Sequence, residues 1–147
     1  MQNQDSNWVY VVSLALGNPE GASISWIDIV EKNGTYFHPV GNRWPKEPPN
    51  YIAFRYHGQL QSIHHIDDYV VSFNLIEQVP EMPDRAEEIP LFVYRLGPPI
   101  RPGKVIKAGN RVHRSARVRI MLDALLTCDT LSEAKVLSDK RSQKPST

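Results

Sequence analysis

Apolar and polar residues alternate along most of the first two-thirds of the chain, and this period of two predicts β-strands. A first strand is predicted over residues 8–14, and Val9 and Val11 make its second face apolar as well. A strand that is apolar on both faces is expected inside a sheet rather than at its edge. After a turn at residues 17–21, the segment from Ser23 to Glu31 is predicted as a second strand.

Turn signals separate the strands that follow. Asn33-Gly34 is a dipeptide typical of tight hairpins and precedes a short strand at residues 35–37. Proline-rich residues 39–50 and the acidic, proline-punctuated residues 77–90 are expected to be loops. The remaining predicted strands run from Tyr51 to Tyr56, Gln59 to Ile66, Tyr69 to Leu75 and Leu91 to Leu96, with a turn at His57-Gly58 between the first two.

The hydrophobic period changes near the end of the chain. Val118, Met121, Leu122 and Leu125 lie at helical spacing, which predicts an amphipathic helix from about Arg114 to Thr127. Thr130-Leu131-Ser132-Glu133 fits a capping box, so a second helix is expected from there to about Lys140. The fold class predicted from these elements is α+β, a small and mostly antiparallel β-barrel with a C-terminal αα-hairpin.

Composition sets the domain organisation. The chain has 147 residues, which is enough for one hydrophobic core, so we expect a single domain over residues 1–141 and a frayed tail over 142–147. One cysteine, Cys128, excludes an internal disulfide and fits a cytoplasmic protein. No apolar run approaches the roughly 20 residues of a membrane span, so no membrane partner is expected. The oligomeric state is not indicated.

The segment from Pro49 to Leu96 has an arrangement of residue types similar to that of a known superfamily. A strand that ends in an exposed turn, two further strands, and an aromatic strand that continues into Leu-Gly-Pro-Pro-Ile resemble the small PUA-like barrels, including the ASCH and EVE groups. Some of those barrels accompany prokaryotic restriction systems. The resemblance implies a pseudobarrel whose cleft binds RNA, a modified base or a nucleotide-like ligand, and it carries over no individual ligand-contacting residue.

The charge of the chain is strongly divided although the net charge is only +1. Residues 1–88 hold 12 acidic and 5 basic side chains, whereas residues 89–122 hold eight basic side chains and no acidic one. Such a division indicates either that the basic segment meets an external polyanion or that its cations pair within the fold with acidic residues of the first part, for instance Glu77, Glu81, Asp84, Glu87 and Glu88. The candidate phosphate-binding residues are therefore Arg95, Arg101, Lys104, Lys107, Arg111 and Arg114.

Aromatic side chains beside cations are typical of nucleic-acid sites because bases stack on flat rings. Trp44 lies in a proline-rich polar loop, and Arg55 and Tyr56 precede the His57-Gly58 turn, so these three are candidates for the rim of a cleft. A tryptophan in such a loop can equally fold back on the core. The other large aromatic residues are predicted as core: Trp8, Trp26, Phe54, Tyr69, Phe73 and Phe92.

A run of imidazoles and carboxylates, His64-His65-Ile66-Asp67-Asp68, is the strongest enzymatic signal. In an extended strand His65 and Asp67 share one face and His64 the other, so the run does not by itself form one compact metal site. The sequence favours a noncatalytic module that binds nucleic acid or a nucleotide-like anion and needs no cofactor. The alternatives are a metal-dependent hydrolase or nuclease that uses this run, and an interaction domain for an acidic protein partner.

Overall fold

The computed structural model describes residues 7–40, 47–109 and 118–143. These residues form strands and helices in an α+β arrangement, as the sequence predicts. The elements, in chain order, are β1 Trp8–Ser13, α1 Trp26–Glu31, β2 Thr35–Pro39, β3 Tyr51–Tyr56, β4 Gln59–Ser72, a 3-10 helix Leu75–Glu77, β5 Leu91–Leu96, β6 Val118–Met121, α2 Leu122–Thr127 and α3 Leu131–Gln143. None of these helices is both long and apolar enough to cross a membrane.

One six-stranded sheet holds the strands in the order β2-β5-β4-β3-β1-β6. The pairing is antiparallel except between β1 and β3, which run parallel with Val9 opposite Tyr51. The predicted mostly antiparallel sheet is therefore confirmed. Its predicted closure into a barrel is not, because β2 and β6 remain the two ends of the strand order in the described part of the chain.

The long strand β4 joins the two halves of the sheet. Its first half pairs with β3 as far as His65, and its second half pairs with β5 from Ile66 onward. The register shifts between Ile66 and Asp68, where an extra residue bends the strand. The sequence predicts two strands here, and the structure corrects this to one continuous strand that ends at Ser72.

The sheet is strongly curved around a concave cluster of buried side chains. Tyr36 of β2 packs in the same cluster as Val12 of β1, although three strands separate β2 and β1 in the sheet. Val30 of α1 closes over this cluster. On the opposite face, Ile63 and Ile120 pack with Leu125 and Leu131 of the two C-terminal helices to form a second core.

Helix α1 replaces the strand predicted from Ser23 to Glu31. The Ser25 side chain accepts a hydrogen bond from the Asp28 amide at 3.1 Å and so caps the first turn. Ile29 and Val30 are buried on the side that faces the sheet. The prediction was wrong because the apolar residues of this short segment fit a period of two almost as well as a helical period.

The helix predicted from Arg114 to Thr127 is also corrected within the described residues. Val118–Met121 is strand β6, which pairs antiparallel with β1, and only Leu122–Thr127 is helical. β-branched Val118 and Ile120 suit a strand, and their pairing satisfies backbone groups of β1 that would otherwise form a bare edge. The helix predicted after the capping box is confirmed as α3, with the Glu133 amide donating to Thr130 Oγ1 at 3.1 Å.

Candidate functional site

A cleft of about 770 Å³ lies where the parallel strands β1 and β3 end. It is walled by the last residues of these strands, by the hairpin turn after β3, and by the segment that approaches α3. Its lining residues are Ser13, Leu14, Ala15, Leu16, Arg55, Tyr56, His57, Gly58, Gln59, Ala108 and Gly109. Of the sequence-predicted site residues, Arg55 and Tyr56 line this cleft.

Arg55 is a buried basic residue in the lining of this cleft. It follows Ala53 on the face of β3 that supports the second core, and it lies opposite Ser13 of β1. Only 6% of the residue is exposed, and this burial lowers the pKa of the guanidinium. An arginine remains charged in spite of such a decrease, so a positive charge is buried in the lining of the cleft.

The floor of the cleft depends on a tight turn and a close backbone approach. His57 and Gly58 both have positive φ, 54° and 75°, as the two-residue hairpin between β3 and β4 requires. The Ala108 amide donates to the Gly58 carbonyl at 3.2 Å, which holds residues 108–109 against the turn. At Gly109, a Cβ atom would lie 2.6 Å from Ser132 Oγ, so only glycine lets this segment approach α3.

Tyr56 lies on the other face of β3 and is tied to helix α1. Its hydroxyl donates to Glu31 Oε1 at 3.0 Å. Burial and the nearby carboxylate raise the pKa of Tyr56 to about 12. Tyr56 is therefore a neutral hydrogen-bonding group at physiological pH, and its ring borders the cleft rather than standing free as a stacking platform.

Two of the predicted phosphate-binding cations are engaged within the chain. Arg101 binds Glu31 with both terminal nitrogens, at 2.9 and 3.3 Å, and this pairing lowers the pKa of Glu31 and raises that of Arg101. Lys104 donates to Asp129 at 2.8 Å and to the carbonyl of Thr127 at 3.1 Å. The acidic partners are thus Glu31 and Asp129, not the acidic residues between 77 and 88 that the sequence suggests.

The remaining candidates do not gather at one place in the described structure. Arg95 is exposed on β5, opposite Thr35 and Asp68 of the neighbouring strands. Lys107 is exposed and adjoins the cleft through the next residue, Ala108. Arg111, Arg114 and Trp44 lie outside the described residues.

A second cavity, of about 430 Å³, adjoins the cleft and was not predicted from the sequence. Ser13, Leu14 and Ala15 line both spaces, so the end of β1 is their common wall. Aromatic side chains of α1 and β2 line the second cavity, and Arg85, Glu87 and Glu20 contribute charged groups. These aromatic side chains are Trp26, Tyr36, Phe37 and His38, with the Trp26 and Phe37 ring centroids 4.9 Å apart.

His38 is fixed in one tautomer at the back of this second cavity. Its Nδ1–H donates to the Pro39 carbonyl at 2.8 Å, so Nε2 accepts from the hydroxyl of Tyr94. Both side chains are almost wholly buried, and burial raises the pKa of Tyr94. His38 and Tyr94 could have been identified as neighbours only if the pairing of β2 with β5 had been known, because they lie on these two strands.

The histidine-rich run of β4 divides between the two faces of the strand, as its alternation predicts. His64 is buried, with Nδ1–H donating to the Gly97 carbonyl and Nε2 accepting from Ser62 Oγ, both at 2.9 Å. His65 Nδ1 and Asp67 Oδ1 form an exposed pair at 2.9 Å. His57 is not part of this run and lies at the turn between β3 and β4. Among the described residues, no three histidine, cysteine or carboxylate side chains are grouped to hold a metal ion.

Comparisons of the chain with protein-family models, with curated proteins and with solved structures gave no match. Functional inference therefore depends on the two cavities themselves. Their volumes of about 770 and 430 Å³ fall in the range of small-molecule sites in proteins, roughly 300 to 1,000 Å³. One cavity contributes a buried positive charge and the other an aromatic lining.

Proposed function

We propose that this protein is a noncatalytic binding module for a nucleotide-like anion, taken either as a free nucleotide or as part of a nucleic acid. The observation that carries the proposal is Arg55, a basic residue that lines a cleft of about 770 Å³ while only 6% exposed. Charge-assisted hydrogen bonds from a guanidinium to phosphate oxygens are about twice as strong as neutral ones. Surroundings that hold little water strengthen this attraction further.

The aromatic cavity supports the same ligand class. A nucleotide combines an anionic phosphate with a flat base, and stacking of a base on an aromatic side chain contributes about 1–3 kcal/mol. The cleft and the cavity share the wall formed by Ser13, Leu14 and Ala15. We therefore assign the phosphate to the Arg55 side of this wall and the base to the Trp26 side.

The proposal includes the relation to PUA-like pseudobarrels that the sequence suggests. Two features of the fold support it. The sheet curves until β2 and β1 share one concave core, and that core is covered by α1. The cleft lies at the end of the β1–β3 pair, and both strands contribute residues to that concave core.

A direct test is calorimetric titration of the protein with nucleoside monophosphates and with short single-stranded RNA and DNA. Arg55→Gln is expected to lower the affinity at least tenfold, because the variant retains hydrogen-bonding capacity but loses the charge. Arg95→Gln is the matched control, since Arg95 is exposed on β5 and does not line the cleft. Circular dichroism establishes that both variants are folded before binding is compared.

The arms of this experiment distinguish the sources of the phosphate. If a strand is the ligand, the logarithm of the affinity falls with the logarithm of the salt concentration by about 0.7 per contacted phosphate. If a free nucleotide is the ligand, monophosphates bind as well as oligonucleotides do. Equal affinity of the wild type and Arg55→Gln for the phosphate compounds overturns the proposal. Binding of polyglutamate in preference to every phosphate compound also overturns it, and this result favours an acidic protein partner.

A further inference from the structure

We propose that two copies of this chain associate through the exposed edge formed by the second half of β4 and the residue that follows it, from Asp67 to Phe73. In the described part of the structure, this half-strand pairs with β5 on one side and with no strand on the other. Large apolar side chains on both of its faces are exposed, which is rare for a strand edge that meets only water. These are Tyr69 at 45%, Val70 at 45%, Val71 at 53% and Phe73 at 55% exposure.

The direction of the backbone groups identifies which of them remain available on this edge. Tyr69 donates its amide to the side chain of Asp68 at 2.8 Å, so the backbone of Tyr69 faces away from β5. By alternation Val71 and Phe73 face the same way. The Phe73 carbonyl accepts from the Glu87 amide at 2.7 Å. Among the described residues, the groups without a partner are the Tyr69 carbonyl, both groups of Val71 and the Phe73 amide.

This pattern of satisfied and available groups is two-fold symmetric about Val71. In an antiparallel pair centred there, the two Val71 residues exchange both backbone hydrogen bonds. The Tyr69 carbonyl then accepts from the Phe73 amide of the second copy. The reciprocal bond, from the Tyr69 amide to the Phe73 carbonyl of the second copy, forms only when Asp68 and Glu87 release these two groups, which they hold within their own chain. A two-fold interface requires such a self-complementary strand.

Side chains and charges favour the same register. Tyr69 lies opposite Phe73 of the second copy, and aromatic cross-strand pairs contribute favourably to pairing. Asp68 lies opposite Asn74, whose backbone is also extended, with φ −149° and ψ 108°. Antiparallel pairing thus keeps Asp67 and Asp68 away from their copies, whereas parallel pairing would place like charges side by side.

The test is the molar mass by sedimentation equilibrium or light scattering over a protein concentration series up to the millimolar range. The wild-type chain is expected to rise from 16.8 kDa toward twice that mass. Val71→Lys is expected to remain at the monomer mass, because a lysine on an edge strand opposes pairing with a second strand. Val105→Lys is the control, since Val105 is 58% exposed and lies outside the strands.

Hydrogen exchange provides a second readout at the predicted centre of the interface. The Val71 amide is expected to exchange more slowly as the concentration of the wild-type chain increases. On dilution, its exchange rate is expected to return to that of the monomer. A wild-type mass of 16.8 kDa at every concentration overturns the proposal. So does a dimer that Val71→Lys leaves intact, or one that Val105→Lys weakens equally.

Discussion

Three glycines allow the packing of the cleft floor to be measured separately from backbone strain. Gly109 has φ +83°, and an added Cβ would lie 2.6 Å from Ser132 Oγ and 2.9 Å from its Cβ. Gly58 has φ +75° but nothing within 4 Å of an added Cβ. Gly103 has open space around it and no positive φ. Alanine at Gly109 therefore adds backbone strain and a clash, alanine at Gly58 adds backbone strain alone, and alanine at Gly103 adds neither.

The expected free energies of unfolding follow from these differences. Gly103→Ala is expected to stabilise the fold by about 0.4–1 kcal/mol, because alanine reduces the conformational freedom of the unfolded chain. In Gly58→Ala, left-handed strain of about 1–2 kcal/mol exceeds that gain, so a net loss of about 1 kcal/mol is expected. Gly109→Ala adds overpacking against Ser132, typically about 1–3 kcal/mol, for a total loss of about 2–4 kcal/mol.

Urea denaturation followed by far-ultraviolet circular dichroism measures all three variants. If the slope of the free energy of unfolding against urea concentration is the same as in the wild type, only the stability has changed. The decisive comparison is between the two strained positions. If Gly109→Ala were no less stable than Gly58→Ala, the close approach of Gly109 to α3 would contribute nothing, and the description of the cleft floor would be wrong.

Two further predictions concern buried polar side chains. Ser138→Ala is expected to lower the free energy of unfolding by about 1–3 kcal/mol, because Ser138 Oγ accepts from the Met121 amide at 2.9 Å and its loss leaves that amide unsatisfied. Ser142→Ala is the control, since Ser142 lies on the same helix and is exposed. Equal urea midpoints for the two variants would contradict the prediction. His64 has its pKa lowered by burial, so its folded ring stays neutral while the unfolded ring binds a proton below about pH 6.5. The free energy of unfolding should therefore fall from pH 7.5 to pH 5, and His64→Asn should show a smaller fall in urea titrations; parallel pH profiles would refute the assignment.

Local signals were sufficient for several strands and for one helix end. The predicted strands at Tyr51–Tyr56 and Leu91–Leu96 are confirmed at both ends, because turn residues bound a clear alternation. The cap at Thr130 is confirmed because its chemistry is local. By contrast, the strand Val118–Met121 depends on an unfilled edge of β1, which no pattern within those four residues reveals.

Burial in the sheet was harder to predict than the strands themselves. Tyr69 and Phe73 have the apolar alternation of a core strand, and Phe73 follows the end of β4. The structure leaves both about half exposed, because the layers that cover the sheet do not extend over this part of β4. The prediction that they belong to the core was therefore wrong. A sequence records which side chains are apolar, while tertiary packing decides which of them are covered.

The charge division of the chain acts partly within the fold. Arg101, from the basic segment, binds Glu31, from the acidic segment, and so ties the loop after β5 to the end of α1. Lys104 likewise binds Asp129 and the carbonyl of Thr127, the last residue of α2. Arg55, in contrast, belongs to the acidic part of the chain and would be overlooked in any count of charge by segment. On the proposed function, its burial gives it a stronger expected effect on a phosphate than an exposed cation has, because the strength of an ionic contact depends on the surroundings of the charges.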